Sequence, residues 1–249
     1  MRRGIASADP TVRIERDEKT VLVVGDDWGA LLWSRLDESV ADAEISRIVT
    51  RLCELPAEAE WKLYGHDLPA DLGRRLVRAG LKPGEEEAVL VAEIDVLPTE
   101  TDVEVRVADT PELVAAFVDL NAKAFGRSFE LAGRELLRAL EQERPSRLAV
   151  IAYADGLPAA AGRIEFDPNP DFASIWGGGT LPEFCGQGLY RATVAKRARL
   201  ARGRGYRFLQ VDALPTSRSI LERLGFVQIT TTTPYALRDG HLHTPSLTR

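Results

Sequence analysis

The chain has 249 residues, 45% of them hydrophobic and 28% charged, a globular composition with room for one large domain or two small ones. Its net charge of −6 and its two cysteines, Cys53 and Cys185, argue against a nucleic-acid binder and a disulfide scaffold. No apolar run approaches the roughly 18 residues of a membrane span, and Arg2 and Arg3 are followed by no apolar stretch, so a frayed terminus in a cytoplasmic protein is expected.

The acidity is uneven. Residues 1–97 hold 13 Lys/Arg and 20 Asp/Glu, while residues 98–249 hold 19 and 18. In chain order, the run 20–25 is β-branched and apolar and is stopped by Gly25-Asp26-Asp27, so it reads as a strand. The apolar run 30–36 reads as a second one. Ser39 is placed to cap a helix reaching Glu54, with Val40, Ile45, Ile48, Val49 and Leu52 on its apolar face. A strand over 61–66, a helix over 68–79 closed by Gly80, and a strand over 86–97 follow. The polar, proline-led stretch 98–102 is the expected domain boundary, giving domains 1–97 and 98–249.

The second part opens with the alternating strand 103–107. Thr110-Pro111-Glu112 is a helix start: a capping side chain, proline in the first turn and an early acid. That helix runs to Ala124, Phe125–Phe129 breaks it, and another runs over 130–142. Strands over 148–154, 159–166 and 172–181 are separated by the turns Asp155-Gly156 and 167–171, which suit antiparallel hairpins. A helix carries Tyr190, Val194, Ala198 and Ala201 on one face. A strand over 206–211, a helix over 216–224 and a strand over 226–237 complete the chain. Residues 61–81 also superpose without a gap on 206–226: Leu76 meets Leu221, Gly80 meets Gly225 and Leu81 meets Phe226.

The most informative stretch is 176–213. A strand ends in Gly177-Gly178-Gly179, the turn Cys185-Gly186-Gln187-Gly188-Leu189-Tyr190 follows, and a helix rich in arginine begins. Glycines just before a helix let a ligand approach the first free N–H groups, where the helix dipole favours a phosphate. A dinucleotide fingerprint needs a third glycine where Arg191 stands, and a nucleoside-triphosphate loop needs Gly-Lys before Ser or Thr, which is absent. The turn resembles the acyl-CoA loop of the GNAT N-acetyltransferases, whose pattern is Arg or Gln, two residues, Gly, one residue, then Gly or Ala. Gly188 fits it, while Cys185 and Tyr190 replace the first and last members. The strand end Thr180-Leu181-Pro182-Glu183-Phe184 and the closing helix that ends in Leu224-Gly225-Phe226 resemble the family's flanks at its spacing.

The resemblance covers roughly 101–237. It implies an α/β (α+β) GNAT fold, a mixed, mostly antiparallel sheet flanked by helices, preceded by a smaller αβ domain like a truncated repeat of the same fold. It implies transfer of an acetyl group from acetyl-CoA to a primary amine of a small molecule or peptide, by direct attack in a ternary complex. Backbone groups of Gly178, Gly179 and Thr180 would hold the acyl carbonyl. Cys185, Gly186, Gln187, Gly188, Leu189, Tyr190 and Arg191 would surround the pyrophosphate. Many members carry a tyrosine acid where this chain has Leu221, and some a base near Ser174. Glu165 is therefore the candidate base and Tyr235 the candidate acid, with Phe125 and Phe129 as substrate walls. The alternative is an acyl-CoA-binding regulatory module with impaired catalysis. His241 and His243 lack further ligands, so no metal is expected. No nucleic-acid or membrane partner is expected, and a homodimer is compatible with this reading.

Overall fold

The computed structural model describes residues 4–7, 9, 11–26, 28–55, 58–168 and 171–237. The tail histidines, His241 and His243, lie outside the described residues, as do positions 169 and 170 of the second turn. The chain forms two compact units. One runs up to Ala88 and takes in the chain from Thr230; the other holds Val89–Ile229.

The first unit contains β1 (Arg13–Arg16), β2 (Thr20–Val24), β3 (Trp28–Ser34), α1 (Ala41–Cys53), β4 (Glu58–Tyr64), α2 (Leu72–Arg78) and the short β5 (Lys82–Pro83). β1, β2 and β3 pair antiparallel. β4 lies parallel to β3, with Trp28 opposite Glu58 and Leu31 opposite Trp61, so α1 is the crossover of a βαβ unit. Ile45, Ile48 and Leu52 on α1 and Leu72 and Leu76 on α2 bury their side chains against Leu31 and the fully buried Trp61. Each such side chain contributes roughly 1.5–3 kcal/mol by leaving water.

The second unit begins within β6 (Glu87–Glu93). It continues through a 3-10 turn (Ile94–Val96), β7 (Val105–Val107), α3 (Pro111–Phe125), α4 (Glu130–Leu140), β8 (Arg147–Ala154), β9 (Leu157–Phe166) and β10 (Phe172–Thr180). After a 3-10 turn (Pro182–Phe184) come α5 (Leu189–Gly203), β11 (Phe208–Ala213) and α6 (Pro215–Arg223). Its strand order is β6-β11-β10-β9-β8-β7. β7 to β10 are antiparallel neighbours and β11 joins β10 parallel across α5. Asp155 and Gly156 both have positive φ (50° and 76°), the geometry of a two-residue hairpin turn, and they join β8 to β9. Thr110 Oγ1 accepts the Leu113 N–H at 3.4 Å, Pro111 opens α3, and Gly126 ends it in the left-handed region.

The last strand, β12 (Val227–Ala236), pairs antiparallel with β4 from Thr232 to Ala236 and with β5. Each unit therefore takes an edge from the other's stretch of sequence. β6 follows α2 yet belongs to the second unit from Val89, and the part of β12 beyond Ile229, after α6, belongs to the first. The stretch 98–102 lies inside the second unit.

Most elements stand close to where the sequence places them, with a few departures. β1 and the short β5 have no counterpart in the sequence reading. Val40, not Ser39, precedes α1, and no side chain caps it. The strand expected over 86–97 stops at Glu93 and turns. The internal echo is structural only in its second half. Leu81 N–H donates to Leu76 O as Phe226 N–H donates to Leu221 O, both at 3.1 Å, and Gly80 and Gly225 both have positive φ. The strands ahead of these helices do not share the alignment: β4 ends at Tyr64, whereas β11 starts at Phe208, the partner of Leu63 in the gapless superposition.

Candidate functional site

β10 and β11 part company early. They pair from Phe172 opposite Phe208 to Ser174 opposite Gln210, and β10 then runs on to Thr180 against β9 alone. The register with β9 shifts between Trp176 and Gly179, where a bulge puts extra backbone into β10. A small cleft, open to solvent, lies at this separation, with Trp176, Gly177 and Gly178 on one wall and Asp212 on another.

The three glycines are there for side chains on both faces of the strand. A Cβ on Gly178 would fall 2.6 Å from Cε2 of Tyr190, which reaches over from α5. A Cβ on Gly179 would fall 2.7 Å from the Phe125 ring, and one on Gly177 would touch Phe129. Phe125 and Phe129 stack with centroids 5.2 Å apart. Both rings thus lie beside the bulge, on the side of the sheet that α3 covers, and belong to the core cluster there.

The glycine turn leads into an open helix end. Gly186 and Gly188 have φ of 80° and 79°, in the left-handed region, and Gly188 caps α5 without any side-chain bond. The first amide bonded within the helix is that of Ala192, which donates to Gly188 O at 3.0 Å. The amides of Leu189, Tyr190 and Arg191 precede it, and no acid occupies the first turn. Cys185, Gly186 and Gln187 are exposed, and so is Arg191. The Leu189 side chain is core, leaving its backbone for any ligand. Thr180 pairs with Ala160, and Gly179 with Ala161.

Two cleft residues carry chemistry. Arg197 is 1% exposed. Its guanidinium donates to Thr193 O (3.0 Å), Thr193 Oγ1 (3.1 Å), Arg163 O (3.3 Å) and Trp176 O (3.5 Å). All are neutral acceptors, and burial pulls its pKa down to about 10. Gly162 makes room for it, since a Cβ there would meet Nη1 at 2.7 Å. Tyr190 is half-buried in the same cleft, which Ser217 also lines. Burial pushes its phenol up, against the pull of Arg197. Sequence reasoning placed Tyr190 in the loop and on the apolar face of the helix, and singled out no arginine of that arginine-rich helix beyond Arg191. The signal was present: position 197 falls on the apolar stripe of α5 with 190, 194 and 201.

The expected base and acid, Glu165 and Tyr235, are not among the residues lining this cleft. Glu165 is on β9, opposite Ser174 and Arg147, with its side chain 27% exposed, and it is not among the cleft residues. Tyr235 packs into the core of the first unit, paired with Trp61 and Pro83 and with its hydroxyl over Gly73; burial pushes its pKa up. Leu221 is fully buried, as a core leucine should be. Cys185 is an exposed thiol whose Sγ lies 3.6 Å from Leu181 O. Among the described residues no cluster could hold a metal ion and no helix is long and apolar enough to cross a membrane.

Comparison with known proteins agrees with this geometry. The family model for the Acetyltransferase (GNAT) family matches residues 114–226. A GCN5-related N-acetyltransferase from Kribbella flavida superposes with a TM-score of 0.73 at 18% identity, over 93% of this chain and 91% of that one. A functionally unknown conserved protein from Staphylococcus epidermidis ATCC 12228 gives 0.65 at 15% identity, over 89% and 92%. A tandem GNAT protein from the clavulanic acid biosynthesis pathway gives 0.61 at 13% identity, over 94% and 85%. At these identities the likeness is one of fold. No curated protein matches the chain.

Proposed function

We propose that the chain, whose residues 114–226 match the GNAT acetyltransferase family model, transfers an acetyl group from acetyl-CoA to a primary amine of a small molecule or peptide. The observation that carries this reading is the pairing of an open, glycine-led α5 N-terminus with a strand that bulges and separates beside it. The pyrophosphate takes the amides at 189–191 together with the turn Gly186-Gln187-Gly188 after Cys185, and Arg191 adds charge. The acyl arm enters beside Gly178, Gly179 and Thr180.

In the transfer, the amine lone pair attacks the thioester carbonyl carbon and the oxygen takes up negative charge near the backbone N–H groups of the bulge. Collapse breaks the C–S bond. The nitrogen sheds one proton and the sulfur gains one, so amide and free thiol are the products. The phenol we assign to the departing sulfur is Tyr190, which stands in the cleft, in preference to Tyr235, which belongs to the first unit's core. Glu165 or solvent takes the nitrogen's proton. Arg197 places a fixed positive charge beneath the point where negative charge develops.

A second reading is an acyl-CoA-binding module with impaired turnover. It rests on Leu221 at the family's tyrosine position and on the Tyr190 ring filling space beside Gly178. Calorimetric titration with acetyl-CoA, followed by thiol release across a panel of amines, tests both. Binding with thiol release supports transfer, binding without release supports the module, and no binding overturns both.

A further inference from the structure

The face of the second unit's sheet that carries Phe125 and Phe129 also carries polar groups across three strands. Register sets them side by side: Arg163 on β9 opposite Trp176 on β10, Glu165 opposite Ser174, and Ser174 beside Gln210 on β11, with Asp212 two residues further on. Two of these residues, Trp176 and Asp212, also line the cleft. Trp176 Nε1 donates to Ser174 Oγ at 2.7 Å, and Trp176, Ser174 and Glu165 are half-buried, so this face is partly open.

Arg163 is the informative member. It is 3% exposed, yet its Nη2 makes no hydrogen bond. Its Nε lies 3.1 Å from Glu165 Oε1, an ion contact without hydrogen-bond alignment, since both atoms also lack a hydrogen bond. Neighbouring Arg147 differs, being joined to Glu135 of α4. A buried guanidinium with unmade donors is costly, and carboxylate oxygens are the partners that match its fork. Asn121 of α3 repeats the pattern: it is fully buried, with neither amide atom bonded.

We propose that this face is the acceptor site and that the acceptor is an amine that also carries a carboxylate, of the amino-acid class, with Arg163 as the residue that reads the carboxylate. The inference rests on the transferase reading above and deepens it. An acceptor carboxylate on Arg163 sits next to Trp176, at the wall of the cleft, which brings an adjacent amine to the separated strands. Glu165 and Asp212 are the acids nearest that amine along the same face.

The test is direct binding, without acetyl-CoA, followed by by-product thiol release with it. Saturation-transfer NMR on the full chain compares amino acids with their decarboxylated amines and their carboxamides, beginning with L-phenylalanine, phenethylamine and L-phenylalaninamide, and extending through the common amino acids. The expected result is a preference of about tenfold or more for at least one acid over both of its analogues. Arg163→Met should erase that preference and Arg163→Lys should keep part of it. Should the variants fail to fold by circular dichroism, the acid-against-carboxamide comparison on the unaltered chain decides alone. Equal binding of acids and analogues, no binding by any amino acid, or an intact preference in folded Arg163→Met overturns the proposal. If acetyl-CoA binds and amines lacking a carboxylate turn over equally well, only this inference falls. If amino acids bind with the preference and acetyl-CoA does not bind, the transferase reading falls instead.

Discussion

The crossover helices α1 and α5 occupy the same place in two βαβ units and end in opposite chemistry. Each follows one strand and leads to a parallel partner, β3 to β4 and β10 to β11. The first turn of α1 holds Asp42 and Glu44, which are joined to Arg75 (2.9 Å) and to Lys19 (2.8 Å). The first turn of α5 holds no acid and opens through left-handed Gly188. Carboxylates at a helix N-terminus satisfy its dipole and repel an incoming phosphate, whereas an unoccupied N-terminus attracts one. The same skeleton is thus closed by its own acids in the first unit and left open in the second. Strand content reinforces the contrast: Leu32, Trp33 and Ser34 end β3, where three glycines and Thr180 end β10.

The equivalence itself is the first thing to break. Leu76 and Leu221 are both fully buried and both accept, through their carbonyls, the N–H that follows a left-handed glycine. Leu76→Ala and Leu221→Ala should each cost about 2–5 kcal/mol by urea denaturation, the cost of a buried leucine cavity. A large cost in one and none in the other would end the structural equivalence of α2 and α6.

The contrast at the helix ends predicts an effect of comparable size on binding. Gly188→Glu puts a side chain on a positive φ and a negative charge at the mouth of α5, and acetyl-CoA affinity should fall about 100-fold, roughly 2.7 kcal/mol. Removing charge from the other helix, with Asp42→Asn and Glu44→Gln, should leave that affinity unchanged. Calorimetric titration of both variants reads the difference, and retained affinity in Gly188→Glu would refute the loop assignment.

Within the cleft, Tyr190→Phe keeps the ring over Gly178 and removes only the hydroxyl. The turnover number should fall about 10- to 100-fold while acetyl-CoA affinity holds, as expected of an acid that acts on the leaving group. Unchanged turnover would return the proton to solvent.

These contrasts were legible to different depths in the sequence. The glycine turn announced itself because few residues tolerate positive φ before a helix, and Gly186 and Gly188 do adopt it. The helix starting at Thr110-Pro111 was legible for a similar reason: its chemistry is local. The roles of Arg197, Arg163 and the Tyr190 hydroxyl were not, because they depend on which neighbour lacks a Cβ and which carbonyls converge, and these are tertiary facts. The exchange of β6 and β12 between units was hidden for the same reason, since strand partners are set by long-range pairing that no local pattern encodes. Ser39 looked like a cap, yet the helix began after Val40, whose carbonyl accepts the Glu44 N–H at 3.0 Å.

The smallest expected effect separates the units by acid. In the first unit, the hydrogen bond from Arg51 holds the Glu15 carboxyl below its ordinary value, and the bond from Lys19, then that from Arg47, does the same for Glu44. Burial pushes Asp17 up, but hydrogen bonds from the Lys19 and Thr20 amides and the Thr20 hydroxyl outweigh it, and Asp17 too is lowered. These groups tie β1, the β1–β2 turn and α1 together. A carboxyl whose folded pKa is depressed contributes stability above its unfolded value and loses it as pH falls through the folded one. The window therefore opens below the ordinary values of 4.5 and 3.8. The pairs are largely exposed and screened, so the loss is modest. In the second unit, Glu112 is lowered, but by its own backbone N–H and Thr110 rather than by a cation. On acidification from about pH 6 to about pH 3, amides of β2 and α1 should lose hydrogen-exchange protection before those of β8, β9 and β10. Added salt at neutral pH should move protection in the same direction, because it screens the same ion pairs. Simultaneous loss in both units at every pH would mean that the acid cluster around α1 closes that helix end without holding the first unit together.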